Sequence, residues 1–106
     1  MIADDATLAH FIRLAGGSHA AIAVTGPLGS GSESATENAY LLAFERLGAL
    51  AERLYEEGAS AHLLRATGLW LTHGTVQGLV EAMPDDIADM IVHRSDEGLV
   101  IGGPDT

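Results

Sequence analysis

Ala20-Ala21-Ile22-Ala23-Val24 is a short apolar run with no polar face, bounded by Gly17 and Gly26. A strand with one wet face alternates polar and apolar residues. This run does not, which predicts a strand buried on both sides in a parallel sheet. Working outward, Gly68-Leu69-Trp70-Leu71-Thr72 and Gly98-Leu99-Val100-Ile101-Gly102-Gly103 have the same character, so strands are expected over 20–25, 68–72 and 98–102.

The segments between them read as helices. Asp4 and Asp5 precede Leu8, Phe11, Ile12 and Ala15 at helical spacing, and Gly16-Gly17 stops the pattern. A second helix runs from Ser34 or Thr36 to Leu47 and ends at Gly48, a short one spans 59–66, and one of about two turns holds Val76, Leu79 and Val80. Pro84 stands at the first turn of a further helix, where proline is best tolerated, with Asp85, Asp86 and Asp89 near the favourable end of the dipole. Residues 49–56 fit either a strand after Gly48 or a continued helix; the reading kept is a weak strand and a turn. Alternating strands and helices predict βαβ units in a three-layer α/β domain covering 1–106. Its core would be a flavodoxin-like parallel sheet of about four strands with flanking helices.

Composition narrows the function. The chain has 106 residues, no cysteine, 15 acidic and 5 basic side chains, and a formal net charge of −10. A disulfide framework, a thiolate nucleophile and a Cys-ligated metal are excluded. Nucleic acid and anionic membrane surfaces are not expected partners, because both need clustered Lys or Arg. No apolar run approaches a membrane span and the N-terminus lacks a signal-peptide pattern, so the expectation is a soluble cytoplasmic protein.

Gly26-Pro27-Leu28-Gly29-Ser30-Gly31-Ser32 follows a strand and opens a helix, the place of a phosphate cradle. Ser32 and Glu33 stand where a phosphate-binding loop needs its Lys, so a neutral Gly/Ser turn is the preferred reading, with anion binding the other. The five histidines, His10, His19, His62, His73 and His93, lack metal-ligand spacing, and neither a metal nor a cofactor is expected. No serine sits in a GxSxG elbow. Glu52, Glu56 and Glu57, and Asp85, Asp86 and Asp89, read as solvated helix faces. His73 stands apart, because it follows a strand and so reaches the ligand-gathering edge of the sheet.

The order of segments resembles the cyanophycinase and dipeptidase E family of serine peptidases, which have the fold of class I glutamine amidotransferase domains. Leu8 to Gly17 (LAHFIRLAGG) looks like the family's "rFvelAGG" helix, His19 to Thr25 (HAAIAVT) like its "ArIvviptas" strand, and Tyr40 to Ala49 (YLLAFERLGA) like "Y…aFrrLGa". Ala66 to Leu79 (ATGLWLTHGTVQGL) is similar to "AtGIfFTGGdQ.rL", and Glu97 to Gly103 (EGLVIGG) to the strand entering the nucleophile elbow, "G.viaGTSAGA". The likeness covers roughly the N-terminal half of such a protein. Departures fall on the chemistry: His73 replaces the first Gly of "TGGDQ", Thr75 the Asp and Val76 the Gln, with Gln77 one residue later. In the elbow Gly103 matches, Pro104 stands for Thr, and Asp105 falls where the nucleophilic Ser would be. The family's base comes after the elbow, so the resemblance implies no catalytic residue within this chain.

Three readings stay open. The first is a non-catalytic or truncated cyanophycinase-like domain with a binding, assembly or accessory role. The second is a peptidase or amidohydrolase site completed by another chain, such as a complementary C-terminal half, or by self-association. The third is an unrelated small α/β binding domain. A pocket for a peptide or small molecule is expected where strands end, at Thr25, Gly26, Thr72, His73, Gly74 and Gly103, with Gln77 a further candidate. A homo-oligomer is expected as well, because Trp70, Leu71, Val100 and Ile101 need cover that short helices supply poorly.

Overall fold

The computed structural model describes residues 3–26, 33–54 and 58–104. Its elements are α1 (Asp5–Leu14), a 3₁₀ turn (Gly17–His19), β1 (Ala21–Thr25), α2 (Glu33–Arg46), β2 (Leu50–Arg53), α3 (Ala59–Arg65), β3 (Gly68–Leu71), α4 (Val76–Ala82), α5 (Asp85–Asp96) and β4 (Val100–Gly102). The four strands form one parallel sheet in the order β2-β1-β3-β4. A three-layer, flavodoxin-like α/β fold is therefore present, as the apolar runs predict.

Alternation along the strands divides the core in two. Ile22, Val24 and Trp70 pack with α1 and α2, whereas Ala23, Leu69 and Leu71 pack with α3, α4 and α5. The first layer is aromatic. Trp70 lies 5.0 Å from Phe11, 5.5 Å from Tyr40 and 5.7 Å from Phe44 between ring centroids, in tilted and edge-on arrangements that the ring quadrupoles favour. The second layer is almost wholly aliphatic, with Leu63, Leu79, Met83, Ile87 and Ile91 at its centre. Trp70 and Leu71 are thus buried by helices of their own chain; Val100 and Ile101 remain half-exposed.

Local chemistry sets the ends. Asp4 caps α1, its carboxylate accepting from the Thr7 N–H at 2.9 Å. Gly48 and Gly98 terminate α2 and α5 with φ of 91° and 111°, a region open to glycine, and each turns the chain into an edge strand. The Ala49 N–H returns to the Phe44 carbonyl at 3.0 Å, and the Leu99 N–H to that of Arg94 at 2.9 Å. Gly98 and Leu99 belong to this helix end, so β4 starts at Val100, two residues later than the sequence pattern suggests. Pro84 is the N-cap of α5, one position before the expected first turn. The ambiguous stretch after Gly48 is strand at 50–53.

The crossovers fix where strand ends converge. From β1 the chain goes out through α2 on one face to β2, returns through α3 on the other face to β3, and continues through α4 and α5 to β4. Helices on opposite faces for opposite directions are what right-handed crossovers require. β1 and β3 are neighbours whose chains leave in opposite directions, so their carboxyl ends form the switch point of the sheet.

Candidate functional site

The switch point brings together most of the residues expected there. The Thr72 N–H donates to the Thr25 carbonyl at 2.9 Å, extending the β1–β3 ladder one step beyond the strands. Thr25 is buried, and its hydroxyl donates to the Gly26 carbonyl at 3.2 Å. Thr72 is also buried, and its Oγ1 has no hydrogen-bond partner among the described residues. Such a hydroxyl costs free energy unless something satisfies it. Gly103 closes against β3: a β-carbon there would come within 2.4 Å of the Leu71 carbonyl oxygen, so only glycine permits the approach.

Beyond Thr72 the chain turns at Gly74, with φ 83°, and Thr75 caps α4 by accepting from the Gly78 N–H at 3.1 Å. This turn frames a cleft of about 150 Å³ lined by Leu71, His73, Gly74, Thr75, Gly78, Leu79 and Ala82. Its floor is aliphatic, and the polar groups at its rim come from His73 and Thr75. A cavity near this size in an apolar core accepts a benzene-sized molecule. Of the expected pocket residues, His73 and Gly74 line the cleft, whereas Thr25, Gly26, Thr72 and Gly103 surround the strand ends beside it. Gln77 lies on the outer side of α4, where its amide donates to Glu81 at 3.2 Å. Residues 27–32 of the glycine-rich loop and the elbow position Asp105 lie outside the described residues.

Two further features were not visible in the sequence. Arg53, at the carboxyl end of β2, pairs through Nε with the Glu37 carboxylate of α2 at 2.7 Å and donates to the Asn38 side chain. This half-buried ion pair flanks the same edge of the sheet. The second feature is a cleft of about 200 Å³ between β2 and α3, lined by Ala21, Ile22, Leu50, Glu52, His62, Arg65 and Ala66. It lies toward the amino ends of β1 and β2, away from the switch point. Desolvation pushes the His62 imidazole below its ordinary pKa, with Glu52 pulling it up and Arg65 adding to the depression.

No protein-family model matches the chain, and a search of curated proteins finds no relative. Among the described residues no three His, Asp or Glu side chains converge as metal ligands. Among the same residues no helix is long and apolar enough to cross a membrane.

Proposed function

We propose that this chain is a cyanophycinase-like binding and assembly domain that takes a small ligand at the carboxyl edge of its sheet and does not hydrolyse it alone. The observation that carries this reading is a cleft at the carboxyl end of β3, under Gly74, Thr75 and Gly78, next to the β1/β3 switch point. Open α/β sheets bind their ligands at such a crevice. The aliphatic floor suits a branched alkyl or small ring, either on a small molecule or on one residue of a peptide. His73 and Thr75 would orient its polar end. Hydrolysis needs an activated nucleophile and a base in mutual reach, and the position resembling the nucleophile is Asp105. We set the protein in the cytoplasm, a reading with which the absence of cysteine agrees.

The test is direct. Asp–Xaa and β-Asp-Arg dipeptides should remain intact, and a fluorophosphonate probe should label no serine; turnover or labelling by the purified chain sinks the proposal. Gly78→Leu would fill the cleft, so it should abolish wild-type binding of small branched-chain or aromatic probes. Unchanged binding would remove the cleft from the argument.

A second reading, a site completed by another copy or chain, is favoured by β4. This edge strand has one neighbour among the described residues, and its Val100 and Ile101 are half-exposed. Size-exclusion chromatography with light scattering should then give a dimer or larger species at 0.15 M salt. A monodisperse 11.0 kDa particle would reject it.

A further inference from the structure

The cleft between β2 and α3 has a chemistry of its own. β2 is an edge strand, and on the face where α3 packs it presents Leu50, Glu52 and Leu54 in alternation. Leu54 is buried, but α3 has only 7 residues and leaves Leu50 75 % exposed. The result is a recess with an apolar wall of Ala21, Leu50 and Ala66 and three polar groups, Glu52, His62 and Arg65. The charges are of opposite sign and flank one imidazole. The Nε2 of His62 stands 3.9 Å from the Glu52 carboxylate, beyond direct hydrogen-bond reach.

We propose that this cleft binds a small aliphatic zwitterion, a free α-amino acid of the leucine or valine type, with its ammonium between Glu52 and His62, its carboxylate on Arg65 and its side chain against Leu50. An anion alone would meet Glu52, and a cation alone would meet Arg65. A zwitterion satisfies both. An ammonium has three donors, so it can bridge the gap between the Glu52 carboxylate and a His62 Nε2 that accepts while Nδ1 carries the proton. The depressed basicity of His62 keeps the imidazole neutral at pH 7 and thus available as acceptor. A volume of about 200 Å³ corresponds to roughly seven waters at ~30 Å³ each, which accommodates such a molecule. Covering Leu50 adds apolar burial that the fold leaves unused. The site is separate from the carboxyl-edge cleft, so either can fail without the other.

The test is a titration of the full chain by NMR, following the Leu50 methyls and the His62 ring protons with L-leucine, N-acetyl-L-leucine and L-leucinamide. L-leucine should give a saturable shift with a dissociation constant on the order of 1 mM, as expected of a small ligand held by partly exposed charges. The acetylated and amidated ligands, each lacking one charge, should bind about tenfold more weakly. Glu52→Gln should erase the preference for leucine over N-acetyl-leucine, and Arg65→Gln the preference over leucinamide. Both side chains are exposed, so both variants should keep the wild-type amide spectrum elsewhere. The proposal is overturned if leucine produces no saturable shift at Leu50 and His62, if the blocked ligands bind equally well, or if the shifts fall on Leu79 and Ala82 instead.

Discussion

The ring of Phe11 covers Gly102 so closely that a β-carbon on that glycine would lie 2.8 Å from Cδ1. Phe11 also approaches Gly68 on the neighbouring strand, where a β-carbon would lie 3.1 Å from the ring. Two glycines thus open a seat for one aromatic ring, which carries α1 down onto β3 and β4. Gly102→Ala should cost roughly 1–3 kcal/mol, because Phe11 is held by Phe44 and Trp70 and cannot swing away. Urea unfolding of Gly102→Ala in the wild-type and Phe11→Leu backgrounds checks this. The penalty should shrink by more than half when the ring is gone, and an equal penalty in both would refute the packing argument.

Arg94 joins α5 to the end of α3. Its Nε donates to the Leu63 carbonyl at 3.1 Å and its Nη2 to the Ala66 carbonyl at 2.8 Å, while Nη1 lies 3.6 Å from Glu97. These carbonyls are among those that a helix end leaves unpaired. A Lys offers one point of donation in place of a planar fork. Arg94→Lys should therefore destabilise by about 1–3 kcal/mol in thermal unfolding, nearly as much as Arg94→Met. Full rescue by Lys would show that charge alone matters.

His62 gives the fold a pH dependence of known sign. Its folded-state pKa lies below the ordinary 6.5, first because burial desolvates the cation. Between that lowered value and 6.5 the unfolded chain binds more protons than the folded one, so stability falls as pH drops through this window. Above 6.5 the contribution is constant. Denaturant midpoints measured across pH 5 to 7.5 should decline more steeply toward acid for the wild type than for His62→Gln. Parallel curves would contradict the assignment.

Asp4 acts in a lower window. Hydrogen bonds from Thr7, side chain first and backbone second, hold its carboxyl below the usual 3.8. The stabilisation is present above the unfolded value and is lost as pH falls through the lower folded value. Asp4→Asn should retain the cap of α1 and flatten this acid limb, whereas Asp4→Ala should lower the melting temperature at pH 7 as well. Identical melting temperatures for Asp4→Ala and the wild type would remove the cap from the account.

How far the sequence could be read depended on burial. β1 and β3 were legible because both faces are covered, which leaves runs such as Ile22–Val24 and Leu69–Leu71 without a polar residue. β2 was ambiguous because an edge strand that exposes Leu50 and Glu52 has, over four residues, the same pattern as an amphipathic helix. The carboxyl-edge residues followed from topology, since any βαβ sheet gathers its strand ends there. The ion pair of Arg53 with Glu37 was not legible, because a strand end and a helix 15 or more residues upstream share no local pattern. Nor was the grouping of Glu52, His62 and Arg65, in which each residue alone reads as an ordinary surface group.

The sheet order also has a consequence in time. β1 pairs with β2 after one short crossover, but its other edge waits for β3, and the Ala21 N–H that donates to the Thr67 hydroxyl at 2.8 Å meets it across 46 positions of chain. During synthesis from the N-terminus, a β1–α2–β2 unit can close first, with the central edge of β1 open and Trp70 not yet made. The aromatic layer then lacks its middle ring until Trp70 has emerged. Contacts of such long range slow folding and prolong the exposure of a bare strand. Nascent chains halted before residue 67 should therefore be the species most prone to aggregate, and Thr67 is the latch that ends the hazard.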